Sequence, residues 1–592
     1  MRNGSKKSSI VILMPAIMLF VVLPFTILYH MQEMEVAEYP YFPDYEAWGD
    51  LFLYGKSVVT LVAAVLASVL IFDYKFIQGK KIKNSKMWIA MLIFELACIF
   101  SYVFSINTPI SSTGFFDQYE NIWVCLAYGI LCFYGYFLYD KVPFQNILRI
   151  LVVPAFVLSV LGLSQFFSHD IIQMSGLIES LLPDSFQGQV AYDFAGEQIK
   201  KVYLTFYNPN YAAVYLDFVL PFLMLGFFTD PQKSWKGLYG ITCIGFLICL
   251  IGTGSKAGIM VCAIEVLVMS AGILVYQMKY KKNNFLIVIA TLAVIVILCF
   301  LGYKFADLDE EKISSNLDEE LQQVTVYEDK IGVRFHDTEL FLWEKDIPKE
   351  NRVGVYVSDD KGKLYSYTYN AEKNALILDE KKFSDFCFGC FEQNGISYLF
   401  FRHNDINWTF TKDTPKGVYS FISTYGKLEN IESAEKAYST KFDGLFTYRG
   451  YIWNRTVPLL KKYFLMGSGP NTFGLVFPQN DYVDRSKAGS GFYYEILTKP
   501  HNMYLQTAVQ TGVVSCMALL VFGGLCMKTL FQRLYKACKK NNDFNIKILM
   551  TFIIAIMAYC ILGITNDSSV AVAPTFWLLS GLGIGMTMSE NK

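Results

Sequence analysis

Histidine and charge are what this chain has least of. It holds five histidines in 592 residues, and Asp, Glu, Lys and Arg together supply only 17%. An ordinary soluble domain is thereby excluded, because 53% of the chain is hydrophobic against about 45 to 50% in such domains. The 51 basic and 52 acidic residues cancel to a net charge of −1, which leaves no basic surplus to argue for nucleic acid. Cysteine outside the apolar blocks is confined to Cys387 and Cys390. Their CxxC spacing permits a redox pair, but SDFCFGCF reads more simply as a strand or turn in a core. The first apolar block follows Arg2, Lys6 and Lys7 yet has no small-x-small cleavage site, so it reads as a retained span.

What the chain has in quantity is apolar blocks about 20 residues long, each the length of a helix crossing the bilayer hydrocarbon. Twelve are expected, near 9–29, 51–72, 87–105, 120–139, 149–168, 209–228, 237–252, 258–276, 285–304, 502–527, 548–565 and 573–588. Twelve spans put both ends on one side. Lysine and arginine gather in alternate connections, at Lys75 to Lys86, Lys141, Lys233 and Lys236, Lys279 to Lys282 and Arg533 to Lys540, which marks those as cytoplasmic. The opposite short loops hold only Lys200, Lys201 and Lys256.

The expected fold is therefore an all-α polytopic membrane protein of about twelve transmembrane helices, with a β-rich extracytoplasmic insert before the tenth. Residues 1–304 carry the first nine spans, 305–445 the insert, 446–501 an extracytoplasmic loop with an amphipathic helix, and 502–592 the last three spans. Within the insert, VGVYVSDDKGKLYSYTY alternates apolar and polar residues around a DDKG turn, the pattern of a β-hairpin. Asp359 and Asp360 read as that turn rather than as a metal pair.

Charged residues at the outer boundary of a helical bundle are functional candidates, since dehydrating them is costly without a partner. Four places qualify. In KKVYLTFYNPNYAAVYL, Lys201 precedes an Asn-Pro-Asn turn whose Asn208 or Asn210 can cap the sixth span; snorkelling lysines at a helix start are the plainer reading. In IGTGSKAGIM, glycines allow a tight reversal with Ser255 and Lys256 at its tip, able to hold an anion or simply to reverse the chain. In TYRGYIWNRTVPLLKKYFLMGSGPNTF, Arg449 and Trp453 share a helical face that Gly467, Gly469 and Pro470 end; the arginine can clamp a phosphate or meet lipid headgroups. In TKPHNMYLQTAVQTG, His501 and Asn502 open the tenth span, where the helix dipole favours a neutral imidazole suited to a general base or to plain capping.

Taken in order, NPNYAA, TGSKAG, RGYIW with GSGPNTF, and HNMYL resemble the O-antigen ligase and O-antigen polymerase superfamily of bacterial membrane glycosyltransferases. The resemblance covers roughly 200–275 and 445–520. It implies a plasma-membrane enzyme that moves a glycan from an undecaprenyl-diphosphate carrier to a glycan or other hydroxyl acceptor at the outer face. On it, His501 activates the acceptor, Arg449 and Lys256 bind diphosphate, and Lys201, Asn210, Ser255 and Asn502 line the substrate site. Lys256 stands where the family has arginine, so charge is kept and the bidentate fork is lost. No cofactor is implied, and fixed cations meeting the leaving diphosphate predict metal-independent transfer. A transporter or flippase is the alternative; against it, no repeat is evident, and no isolated mid-span carboxylate stands out beyond Asp217, near the start of span six.

Overall fold

The computed structural model describes residues 2–33, 47–79, 85–184 apart from 175, 201–280, 321–347, and 352–588 apart from 384 and 425. Its main helices are α1 (Arg2–Ile17), α2 (Tyr54–Phe72), α3 (Ser85–Val103), α4 (Ile122–Leu138), α5 (Phe144–Phe166), α6 (Pro209–Thr229), α7 (Lys233–Gly252), α8 (Lys256–Tyr280), α9 (Leu445–Lys462), α10 (Met503–Gln510), α11 (Val513–Lys539), α12 (Asp543–Leu562) and α13 (Ala573–Met588). Among the described residues seven, α2, α3, α5, α6, α7, α11 and α12, are long and apolar enough to cross a membrane, and the stretches Ile10–Phe25 and Ile122–Leu138 are apolar but shorter. The protein is thus a mostly helical membrane protein with a β-rich region in its second half.

The ninth expected span, 285–304, lies outside the described residues. One expectation about the spans needs correction. The tenth is not one helix: α10 stops at Gln510, Gly512 takes a left-handed φ of +94°, and α11 starts at Val513. Hydropathy cannot report this break, because the residues on both sides are equally apolar.

Helix starts follow the local sequence. Asn208 accepts from the Asn210 N–H at 2.8 Å ahead of Pro209, the first residue of α6, and Asn121 accepts from the Val124 N–H at 3.1 Å ahead of α4. One large apolar core runs through the bundle. Its closest contact is between α4 and α13, where Gly581 and Gly585 lie against the Cys132 and Tyr136 carbonyls with no room for a methyl.

A two-stranded sheet pairs β1 (His30–Glu33) with β2 (Ala47–Asp50). The β-rich region begins with β3 (Leu321–Val326), β4 (Ile331–Phe335), β5 (Thr338–Ile347) and β6 (Arg352–Asp359), a sheet in chain order. Then come β7 (Tyr367–Asn370), β8 (Ala375–Leu378), β9 (Cys387–Gln393), β10 (Ile396–His403), β11 (Ile406–Thr411), β12 (Ser420–Ile422) and β13 (Leu428–Glu429), a second antiparallel meander. The two sheets close one shared core that includes Phe335, Phe388, Phe401 and Trp408.

The expected hairpin over 353–369 forms its turn but not its ladder. Asp359 Oδ1 accepts from the Lys361 and Lys363 N–H groups at 3.0 and 2.8 Å, and Gly362 has φ +79°. Beyond one bridge between Ser358 and Leu364 the chain leaves for the other sheet, so β6 pairs β5 and β7 pairs β8. No disulfide joins Cys387 and Cys390. They lie three residues apart on β9, which turns them to opposite faces.

Candidate active site

Arg449 sits in the first turn of α9, just after three residues in the left-handed region, Phe446, Thr447 and Tyr448, with φ of +52°, +58° and +62°. That kink folds the helix start back, and Arg449 Nη1 donates to the Phe446 carbonyl at 3.2 Å. Its Nε is buried without a hydrogen-bond partner. Burial pushes the guanidinium below its ordinary value, and the nearby Asp567 carboxylate and Tyr211 hydroxyl oppose that push. One turn on, Trp453 Nε1 donates to the Pro500 carbonyl at 3.0 Å, which fastens the Arg449 face of α9 to the residue before His501. The next arginine, Arg455, is structural: fully buried, it pairs with Asp443, with Asp481 at 3.0 Å and with Asp484 at 2.8 Å, and covers the Tyr451 ring at 3.9 Å.

The GSGPNTF loop does more than end α9. The Gly467 N–H bonds to the Tyr463 carbonyl at 3.1 Å, Ser468 and Gly469 donate to the Val509 and Gln510 carbonyls at 2.9 Å each, and Asn471 Nδ2 reaches Gln118 Oε1 at 3.3 Å. A methyl on Gly467 would lie 2.2 Å from the Gln510 carbonyl oxygen, and one on Gly512 2.4 Å from that of Leu465. Loop and helix end therefore fit only as glycine, and the loop seats the short helix that follows His501.

His501 itself has φ +49°. Its Nδ1 is 2.9 Å from Asp567 Oδ2, and its side chain is 35% exposed while that of Asp567 is 1% exposed. Burial alone would raise the Asp567 pKa, but His501, Lys499 and the Asn502 N–H, 3.1 Å from Oδ1, outweigh it and hold the carboxyl below its ordinary value. An ionised carboxylate only accepts, so Nδ1 is the ring nitrogen that donates to it, and Nε2 is the one left for other contacts. Asn502 caps α10 through Tyr504 and Leu505 at 3.0 and 2.9 Å and donates to the Ile564 carbonyl at 2.8 Å. It is a buried positioning group.

Buried Lys499 pairs with Asp117 at 2.8 Å and donates to the Asp117 carbonyl at 2.7 Å and the Tyr211 hydroxyl at 3.1 Å. Burial opposes its charge, yet Asp117, Tyr211 and Asp567 raise its pKa above the ordinary value, so it stays an ammonium. Glu495 keeps contact with solvent but stands among His501, Arg485 and Asp117; burial raises its pKa, and His501 and Arg485 only partly offset that.

The other expected residues lie at the ends of α6 and α8. Asn210 is the second residue of α6 and precedes Tyr211, whose hydroxyl meets Lys499. Lys201 covers the α7 to α8 turn, its Cε 3.2 Å from where a Gly254 methyl would stand. In that turn Ser255 Oγ accepts from the Gly258 N–H at 3.4 Å, and Lys256, exposed, is the first residue of α8. The structure thus brings His501, Arg449 and Asn502 together around Asp567, and Asn210 precedes Tyr211 in α6. Lys201, Ser255 and Lys256 form a second group at the α7 to α8 turn, and no described contact joins them to His501.

Asp567, Lys499, Asp117, Tyr211 and Glu495 were not expected from sequence. A signal existed for two: Asp567 and Asp117 are the sole acids of their short loops, 566–572 and 106–119, and a search for cations passed over them. The absence of other mid-span carboxylates also needs correction, since Glu265 is buried within α8, as Asp217 is within α6.

No curated protein and no solved structure matches the chain. The O-antigen ligase family model matches residues 417–520. That stretch holds Arg449, the GSGPNTF loop, Lys499 and His501, and in it the chain is similar to the O-antigen ligase superfamily.

Proposed function

We propose that the protein transfers a glycan from an undecaprenyl-diphosphate carrier to an acceptor hydroxyl at the outer face of the bacterial plasma membrane, as a ligase or as a polysaccharide polymerase. His501 takes the acceptor proton at Nε2 as the hydroxyl attacks the anomeric carbon. The anomeric bond breaks towards the diphosphate, and Arg449, with Lys256 and Lys201 at the rim, meets the charge that develops there. The observation that carries this reading is the buried Asp567 carboxylate under a part-exposed His501, with Arg449 in the same electrostatic group.

The test is the pair His501→Ala and Arg449→Ala in cells lacking the native protein. Both variants should reach the membrane in normal amount, while surface polysaccharide disappears and its lipid-linked precursor accumulates. Normal polymer in both variants overturns the assignment. A carrier for a polar solute is the second reading, favoured by the buried carboxylates Asp217 and Glu265. It requires polymer to survive His501→Ala and fail with Asp217→Asn.

A further inference from the structure

Asp217 on α6 and Cys262 and Glu265 on α8 converge inside the bundle, with ligand atoms all within 4.8 Å of one another. All three residues are buried: Asp217 is 0% and Glu265 4% exposed. Neither oxygen of either carboxylate has a hydrogen-bond partner. Cys262 and Glu265 are three apart and share one face of α8, and α6 comes close because Gly258 faces it: a methyl there would lie 2.9 Å from Ala213 Cβ and 3.4 Å from Asp217 Oδ2.

Two unpartnered carboxylates in this setting must be neutralised by something. Protons would do so without engaging the cysteine beside them. Three donor atoms from three side chains around one gap fit an ion instead. Tetrahedral zinc, with bonds of about 2.0 Å to oxygen and 2.3 Å to sulfur, spaces its ligands about 3.3 to 3.8 Å apart, which small side-chain adjustments reach from here. The thiol beside the carboxylates loses its proton to solvent on binding, so two carboxylates and a thiolate exceed the charge of a dication by one, and the sulfur selects a borderline-soft ion over calcium or magnesium.

We propose that Asp217, Glu265 and Cys262 bind a divalent metal ion of the zinc class within the bundle, clamping α6 to α8. The ion lies away from the transfer chemistry. Asp217 is eight residues past Pro209 and Glu265 nine past Lys256, so the site is about 12 to 14 Å along each helix from the ends that carry Asn210 and Lys256. Its part is to fix those two ends relative to each other, and it holds whether or not the transferase reading does.

The experiment loads purified full-length protein in detergent with Zn²⁺, removes free metal by gel filtration, and counts the ion by mass spectrometry. About one zinc per chain is expected, falling about tenfold in Asp217→Asn and in Glu265→Gln. Cys262→Ser keeps size and both carboxylates and guards against misfolding: in cobalt-loaded protein it should abolish the thiolate-to-cobalt absorption band while the elution profile stays monodisperse. Zinc below a tenth of an equivalent in the native protein overturns the proposal. So does equal zinc in all three variants, or a protonated-carboxyl infrared band in zinc-loaded native protein that vanishes in Glu265→Gln.

Discussion

Because the Asp567 carboxylate can only accept, replacing it with an amide removes the constraint that keeps the proton on His501 Nδ1. In Asp567→Asn the amide can donate to that nitrogen, and the tautomer with Nε2 protonated becomes available. Transfer should fall by roughly 10² to 10⁴, the scale of the corresponding change in serine-protease triads, with little change in membrane abundance. Initial-rate assays with a lipid-linked donor read this directly, and unchanged turnover would separate Asp567 from the chemistry. Lys499 is a different case, since it holds structure. Lys499→Met leaves Asp117 facing Tyr211 without its cation and should cost about 3 kcal/mol, seen as a lower melting temperature in detergent. The two residues were legible to different degrees. Lys499 stands two places before His501, whereas Asp567 follows it by 66 residues, a pairing that only helix packing creates.

Among the elements, α10 depends most on its neighbours. Eight residues long, it is far shorter than a helix that persists alone, and it is held by the Asn502 cap, the Gly467 to Gly469 loop and the Ile564 carbonyl. Gly512→Ala would force a side chain onto a φ of +94° and onto the Leu465 carbonyl, so a loss of at least about 2 kcal/mol is expected. Thermal unfolding checks it, and Gly523→Ala, where nothing lies within 4 Å, is the matched control. The sequence marks the long spans well, because a block of about 20 apolar residues has one plain outcome in a bilayer. It does not mark the α10 break, nor the departure of β7 from β6, since alternation reports faces and turns but not which sheet a strand joins.

For the whole molecule, pH acts through the paired carboxylate. The Asp567 pKa is held below its ordinary value, so the stability it contributes is complete above the ordinary carboxylate range and is lost as pH falls through the folded-state value. Melting temperature should be flat from neutrality down to about pH 5 in this respect and then decline, with a smaller acid decline in Asp567→Asn. An identical acid profile in that variant would assign the loss to other carboxylates.

The turn at Gly512 has a mechanical consequence. A long span tilts when the surrounding lipid thins or thickens, and in one unbroken rod that rotation would be delivered straight to the imidazole. Here α11 can lean about its Val513 end while α10 stays bolted to the Ile564 to Asp567 loop, so the His501 ring keeps its aim in membranes of differing depth.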